Sequence, residues 1–132
     1  MKKKVREWVE LARIDLAAAK RLSGDDLVTS AASFHAHQCV EKLFKALIEN
    51  ADNVVPKIHD LDRLKSQIKG PIDFEFDEDI LDDLSRLYID SRYPSMIGLM
   101  PYGRPTIPDT KRYVDFAEKV FESIVTLIGN SD

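Results

Sequence analysis

The segment Ala32-Ser-Phe-His-Ala-His-Gln-Cys-Val-Glu-Lys-Leu-Phe-Lys-Ala-Leu-Ile48 decides the fold, because its residues divide into two faces of one helix. At about 100° per residue, one broad apolar arc suits a helix at the centre of a bundle. That arc consists of Ala32, Ala36, Cys39, Val40, Leu43, Phe44, Ala46 and Leu47. The opposite side, the polar stripe, carries Phe34, His37, Gln38, Glu41 and Lys45 at spacings of three and four, so these side chains are neighbours. We predict that the polar stripe contacts a ligand or a second subunit.

The rest of the chain also follows the helical period, with no alternation typical of strands. We predict five helices. The first covers about residues 3 to 22, and the second begins at a cap at Asp25 or Asp26 and ends at about Asn50. The other three cover about residues 59 to 69, 77 to 91 and 109 to 128. The first helix places Val5, Trp8, Val9, Ala12, Leu16 and Ala19 on one stripe. The last buries Tyr113, Val114, Ala117, Val120, Phe121, Ile124 and Ile128. The pattern predicts an all-α chain.

Composition limits the classes of protein to which the chain can belong. Its 132 residues suit a single domain over residues 1 to 132, and the 44% hydrophobic fraction supports a buried core. A net charge of -4 argues against a strong nonspecific grip on nucleic acid. A lone cysteine and the absence of a long apolar run predict a cytoplasmic protein with no membrane contact. Cys39 with His35 lacks a second ligand pair, so we predict no metal and no cofactor.

Three ordered motifs point to a family. The chain carries Phe34-His-Ala-His-Gln-Cys-Val-Glu-Lys-Leu-Phe-Lys-Ala46, then His59-Asp-Leu, then Tyr88-Ile-Asp-Ser-Arg-Tyr-Pro94. Together they resemble the HEPN domain, named for nucleotide binding in higher eukaryotes and prokaryotes, although His37 stands where glutamine is more usual. The resemblance implies an antiparallel up-and-down bundle of four to five helices, commonly dimeric. It also implies a separate minimal nucleotidyltransferase as a partner.

The same resemblance raises a nuclease activity, since many HEPN proteins are metal-independent ribonucleases and often toxins. Their signature is an arginine followed by four to six residues and then a histidine. Arg92 lies where that arginine would fall, but Ile97, Gly98 and Leu99 occupy the histidine positions. His35, His37 and His59 are the only histidines, and none follows an arginine at this spacing. The absence of the signature argues against an enzyme, unless a histidine from another helix supplies the base.

Arg92 therefore needs another interpretation. It shares one predicted helix face with Leu81, Ser85 and Tyr88, and a buried guanidinium requires acceptors. In one reading, Asp15, Glu41 or Asp60 pairs with Arg92 in a polar network that fixes helix packing. In the other, Arg92 binds a nucleotide phosphate and Tyr93 stacks on a base.

Other polar residues have simpler interpretations. His37 and Glu41 suit a surface or interface hydrogen bond, and His59-Asp60 suits the start of a helix. The Lys2-Lys-Lys-Val-Arg6 run suits a solvated end. The long segment from residue 94 to 108 is too apolar for a solvated linker, so it packs on the bundle, on a partner or over a ligand.

The sequence thus favours a HEPN-like homodimer that binds a nucleotide or nucleic acid such as RNA. The predicted groove, between helices or subunits, comprises His37, Gln38, Glu41, Lys45, Tyr88, Arg92 and Tyr93. Two alternatives stay open. One is a toxin-like ribonuclease with a displaced histidine, and the other is a structural dimerisation module that uses Phe34 and the 94 to 108 segment as contact surface.

Overall fold

The protein is built from helices packed around one central helix. A computed structural model describes residues 1–68, 77–91 and 104–130. These ranges contain no strand and form α1 (Lys3–Leu22), α2 (Thr29–Asn50), α3 (Leu61–Ser66), α4 (Glu78–Ser91) and α5 (Ile107–Asn130). A 3₁₀ turn, Asp26–Val28, joins α1 to α2. The all-α prediction is confirmed.

Helix α2 is the centre of the bundle, because it contacts each of the other four helices in the described ranges. Helix α1 runs antiparallel to it, since Lys2, just before α1, donates to the Asn50 carbonyl at 3.3 Å at the far end of α2. The predicted apolar arc is buried along its whole length. A helix covered on so many sides also buries part of its polar circumference, and this decides the environment of the predicted site.

Several helix ends differ from the prediction because side chains cap the backbone elsewhere. Asp25 accepts a hydrogen bond from the Leu27 amide at 2.9 Å, so it caps the 3₁₀ turn and α2 begins only at residue 29. Asp60 accepts from two amides of α3 and starts that helix at residue 61 rather than 59. Thr106 accepts from the Asp109 amide at 3.1 Å, so α5 begins two residues earlier than predicted.

The core contains the predicted faces of α1 and α5 with three differences. Trp8 is only partly buried, and Phe121 lies under the Arg13 guanidinium at 5.0 Å from its ring centre. Phe116 is buried although the pattern did not single it out. In the described part of the predicted long segment, Pro105 is buried and Arg104 donates to the Leu27 carbonyl at 3.4 Å. None of the described helices has the length and hydropathy of a membrane span.

Candidate functional site

The polar stripe of α2 lies largely inside the protein. His37, Glu41 and Lys45 have relative exposures of 0%, 4% and 6%, whereas Phe34 and Gln38 are half-buried. The helical wheel predicted a stripe opposite the core, but α2 has neighbours on this side as well. The three residues therefore form a buried cluster instead of the floor of an open groove.

Glu41 is the centre of this cluster. Its Oε1 accepts a hydrogen bond from His59 Nδ1 at 2.9 Å, and its Oε2 accepts from Lys45 Nζ at 3.2 Å. The Lys45 ammonium also lies 5.6 Å from the centre of the Trp8 ring. A buried carboxylate is tolerated because a cation and a second donor satisfy it. We call Glu41, Lys45, His59 and the adjacent His37 the Glu41 cluster.

His37 is the neutral member of the Glu41 cluster. Burial lowers the pKa of His37 to about 4, although a hydrogen bond with the His59 backbone and the charge of Asp60 oppose this effect. The imidazole is therefore uncharged at neutral pH. His37 joins the middle of α2 to the segment that precedes α3.

His59 connects the buried cluster to the surface, because 46% of its side chain is exposed. Since an ionised carboxylate only accepts, the bond to Glu41 assigns the proton to His59 Nδ1 and fixes the ring orientation. The next residue, Asp60, accepts from the Asp62 and Arg63 amides at 2.9 and 3.1 Å. The predicted role of His59-Asp60 as a helix start is confirmed, but sequence reasoning missed the contact of His59 with Glu41.

A second carboxylate cluster joins α1 to α2. Asp15 Oδ1 accepts from His35 Nδ1 at 2.9 Å, and Asp15 Oδ2 accepts from the Lys42 ammonium. We call these three residues the Asp15 cluster. The sequence predicted Asp15 as a candidate partner of Arg92, whereas its described partners both come from α2. The sequence did contain a signal for this cluster. Asp15 lies at the edge of an apolar arc, and His35 and Lys42 are seven residues apart, so they share one side of α2.

The α4 part of the predicted groove is described only in its first half. Leu81 is buried, and the Ser85 hydroxyl accepts from the Leu61 amide at 3.1 Å, which joins α4 to the start of α3. The side chain of Tyr88 and the whole of Arg92 and Tyr93 lie outside the described residues. Their place in the groove stays a prediction.

Other candidate chemistry has a structural explanation. Cys39 is fully buried, and burial raises the pKa of its thiol well above the ordinary value, so it behaves as an apolar core residue. Within residues 1–68, 77–91 and 104–130, no three His, Cys, Asp or Glu side chains are arranged to hold a metal ion. The lysine run at the start of the chain, predicted as a solvated end, lines a groove of about 850 Å³ with Trp8 and Val54.

Comparisons with known proteins agree with this architecture. No curated protein matches the chain. TT1696 from Thermus thermophilus is similar in structure, with a TM-score of 0.76 and 26% identity over 95% of this chain and 98% of that one. ST0689, an archaeal HEPN homologue, has the same fold, with a TM-score of 0.66 and 24% identity over 97% of this chain and 99% of that one. The family model of the HEPN domain matches residues 5–128, so the chain belongs to the HEPN domain family.

Proposed function

We propose that this HEPN protein works as a homodimer that binds a nucleotide or a nucleic-acid phosphate, with His59 at the binding surface. The observation that carries the proposal is the bond of 2.9 Å between His59 Nδ1 and the buried Glu41 carboxylate. It fixes a ring that is 46% exposed against a carboxylate that is almost wholly buried. A polar side chain that is held by a buried hydrogen bond and exposed to solvent on its other side loses little conformational entropy when it contacts a ligand.

The neighbouring elements supply the rest of the proposed site. The Leu61 amide, two residues after His59 in the chain, donates to the Ser85 hydroxyl of α4. In the sequence pattern Ser85 shares its helix face with Tyr88, so we place this face of α4 near His59 in the proposed site. Arg92 directly follows α4 in the chain and would bind a phosphate through two parallel hydrogen bonds. Tyr93 would stack on a base. Because the net charge is -4, binding rests on these local groups and not on a general positive field.

Calorimetric titration with ATP, other nucleotides and short single-stranded RNA tests this proposal. We expect saturable binding by the native protein that weakens at least about tenfold in His59→Gln and in Arg92→Ala. His35→Gln is the matched control, since His35 also bonds a buried carboxylate through Nδ1 at 2.9 Å but belongs to the Asp15 cluster. The absence of saturable heat with every ligand, or equal losses in His35→Gln and His59→Gln, would refute the proposal.

The partner implied by the family resemblance extends the proposal. We infer that a separate minimal nucleotidyltransferase acts together with this protein on the same nucleotide chemistry. A gene for such an enzyme beside this one, and co-purification of the two products, are the expected observations. If the two purified proteins do not associate, with or without nucleotide, the proposed partnership is wrong. The proposal of nucleotide binding is not affected by that result.

A ribonuclease is the second candidate, and the His59–Glu41 pair is also the observation that favours it. A histidine whose Nδ1 is held by a carboxylate is the arrangement that orients a general base. In this mechanism His59 would take the proton of a ribose 2'-hydroxyl while Arg92 stabilises the charge on the phosphate. RNA cleavage in the presence of EDTA that is lost in both His59→Gln and Arg92→Ala would favour it. Binding without cleavage would favour the first proposal.

A further inference from the structure

Helix α1 carries large apolar side chains that stay exposed among the described helices. Leu11 and Ile14 have relative exposures of 45% and 64%, although both are large hydrophobic residues. They are three residues apart and, with the half-buried Ala18 four residues further, lie along one side of α1. We call Leu11, Ile14 and Ala18 the α1 stripe. Adjacent exposed apolar side chains on one helix face indicate a contact surface more strongly than scattered ones do.

Two opposite charges flank the α1 stripe symmetrically. Glu7 precedes Ile14 by seven residues and Arg21 follows it by seven, and both are exposed. At a rise of 1.5 Å per residue, each charge lies about 10 Å along the axis from Ile14 and on nearly the same side of the helix. Neither side chain forms an ion pair with another residue in the described part of the chain. The stripe thus has an apolar centre with one acidic side chain, Glu7, on one side and one basic side chain, Arg21, on the other.

We infer that the α1 stripe binds a second copy of this chain through an antiparallel pair of α1 helices whose two-fold axis passes at Ile14. In this pair Ile14 contacts Ile14, and Leu11 of each copy lies beside Ala18 of the other. Glu7 of each copy then lies opposite Arg21 of the other, which forms two equivalent ion pairs. A parallel pair would place like charges together. The inference rests on the proposed homodimer and names the surface that forms it.

The surfaces beyond the stripe are also complementary in this arrangement. Lys3 and Lys4 line the groove of about 850 Å³ at the start of α1, next to Leu11. The antiparallel pair brings this end of one copy to the end of α1 in the other, where Asp25 and Asp26 follow in the chain. Beyond the Glu7–Arg21 pairs, Lys3 and Lys4 of each copy therefore meet Asp25 and Asp26 of the other, on both sides of the axis. This complementarity favours a second copy over an unrelated partner.

Measurement of molar mass by light scattering and of the dimer dissociation constant by analytical ultracentrifugation tests the inference. We expect a native dimer whose dissociation constant rises at least about 100-fold in Ile14→Asp, since the substitution places two carboxylates at the axis. Thr126→Asp is the control, because Thr126 is exposed on α5 and belongs to none of the proposed contacts. Both positions are at the surface, so circular dichroism should show the native helix content in each variant.

A charge exchange tests the register. Glu7→Lys and Arg21→Glu should each weaken the dimer, and the double variant should restore it, because the two ion pairs then form with reversed sign. A monomeric native protein, a dimer unaffected by Ile14→Asp, or a double variant weaker than both single variants would overturn the inference. Nucleotide titration of Ile14→Asp separates the two proposals. Retained binding with lost dimerisation supports the α1 contact, whereas a failure of native protein to bind nucleotide concerns only the proposed ligand site.

Discussion

The Asp15 cluster and the Glu41 cluster contain the same three kinds of side chain but differ in where those side chains come from. In each, a buried carboxylate accepts from a histidine Nδ1 at 2.9 Å and from a lysine ammonium. Asp15 of α1 binds two residues of α2, so its cluster joins two long helices. Glu41 binds Lys45 of its own helix and His59 from the segment before α3.

The two clusters also differ in how far their side chains are exposed to solvent. Both partners of Asp15 have part-buried side chains, 34% exposed for His35 and 23% for Lys42, and both belong to a rigid helix. In the Glu41 cluster the lysine side chain is only 8% exposed, whereas the histidine side chain is 46% exposed. The second cluster therefore combines a deeply buried ion pair with an accessible imidazole. The first fixes the position of α1 on α2, and the second presents a group to the surface.

Removal of the Glu41 charge should have the largest effect on stability. Glu41→Gln leaves the Lys45 ammonium buried without its counter-charge, so we expect a loss of about 3–5 kcal/mol in the free energy of unfolding, measured in urea. The double variant Glu41→Gln with Lys45→Met should recover part of this loss, because it removes both charges. A loss below about 1 kcal/mol would show that water reaches Lys45.

The second largest expected effect is a loss of stability at acid pH, caused by protonation of His37. The unfolded chain protonates His37 below its ordinary pKa of 6.5, whereas the folded protein keeps it neutral down to about 4. Its contribution is therefore fully present above pH 6.5 and is lost as the pH falls toward 4, by about 3 kcal/mol in total. Urea unfolding at several pH values should show a flatter dependence in His37→Gln. Parallel curves for the two proteins would contradict the burial of a neutral imidazole.

The Asp15 cluster should be the less sensitive of the two. Asp15→Asn removes a charged acceptor, but both partners keep contact with water, so we expect a loss of about 1–2 kcal/mol. The measurement is urea unfolding beside Glu41→Gln under the same conditions. Equal losses in the two variants would show that the two carboxylates are equally important to the fold, and the distinction between the clusters would fail.

The helices and the core could be predicted because they depend on local periodicity. The burial of Val5, Leu43 and Ile124 follows from the spacing of apolar residues along each helix. The capping role of Asp60 follows from its place before an apolar run. Helix ends were less accurate, since the choice of Asp25 or Thr106 as a cap depends on the path of the connecting turns.

The buried cluster could not be predicted in the same way. A helical wheel shows which residues of α2 share a face, but the number of neighbours around α2 is set by tertiary packing. Glu41 and His59 meet across 18 residues, and that contact depends on how the chain turns after α2. Asp52 has a φ of 61° just beyond this helix, in the left-handed region where glycine is usual and aspartate is tolerated. The sequence pattern marks the break there but not the direction in which the chain continues.

His59 should show the smallest effect on stability and the largest effect on binding. Because its side chain is 46% exposed and Lys45 remains to balance Glu41, His59→Gln should lower the free energy of unfolding by less than about 1 kcal/mol. The same variant should weaken nucleotide binding at least about tenfold, because glutamine lacks the ring that Glu41 orients. His35→Gln should show no loss of binding with a similarly small change in stability. If His59→Gln instead strongly lowers the free energy of unfolding, while the variant that stays folded binds nucleotide with native affinity, the Glu41 cluster is structural throughout, like the Asp15 cluster.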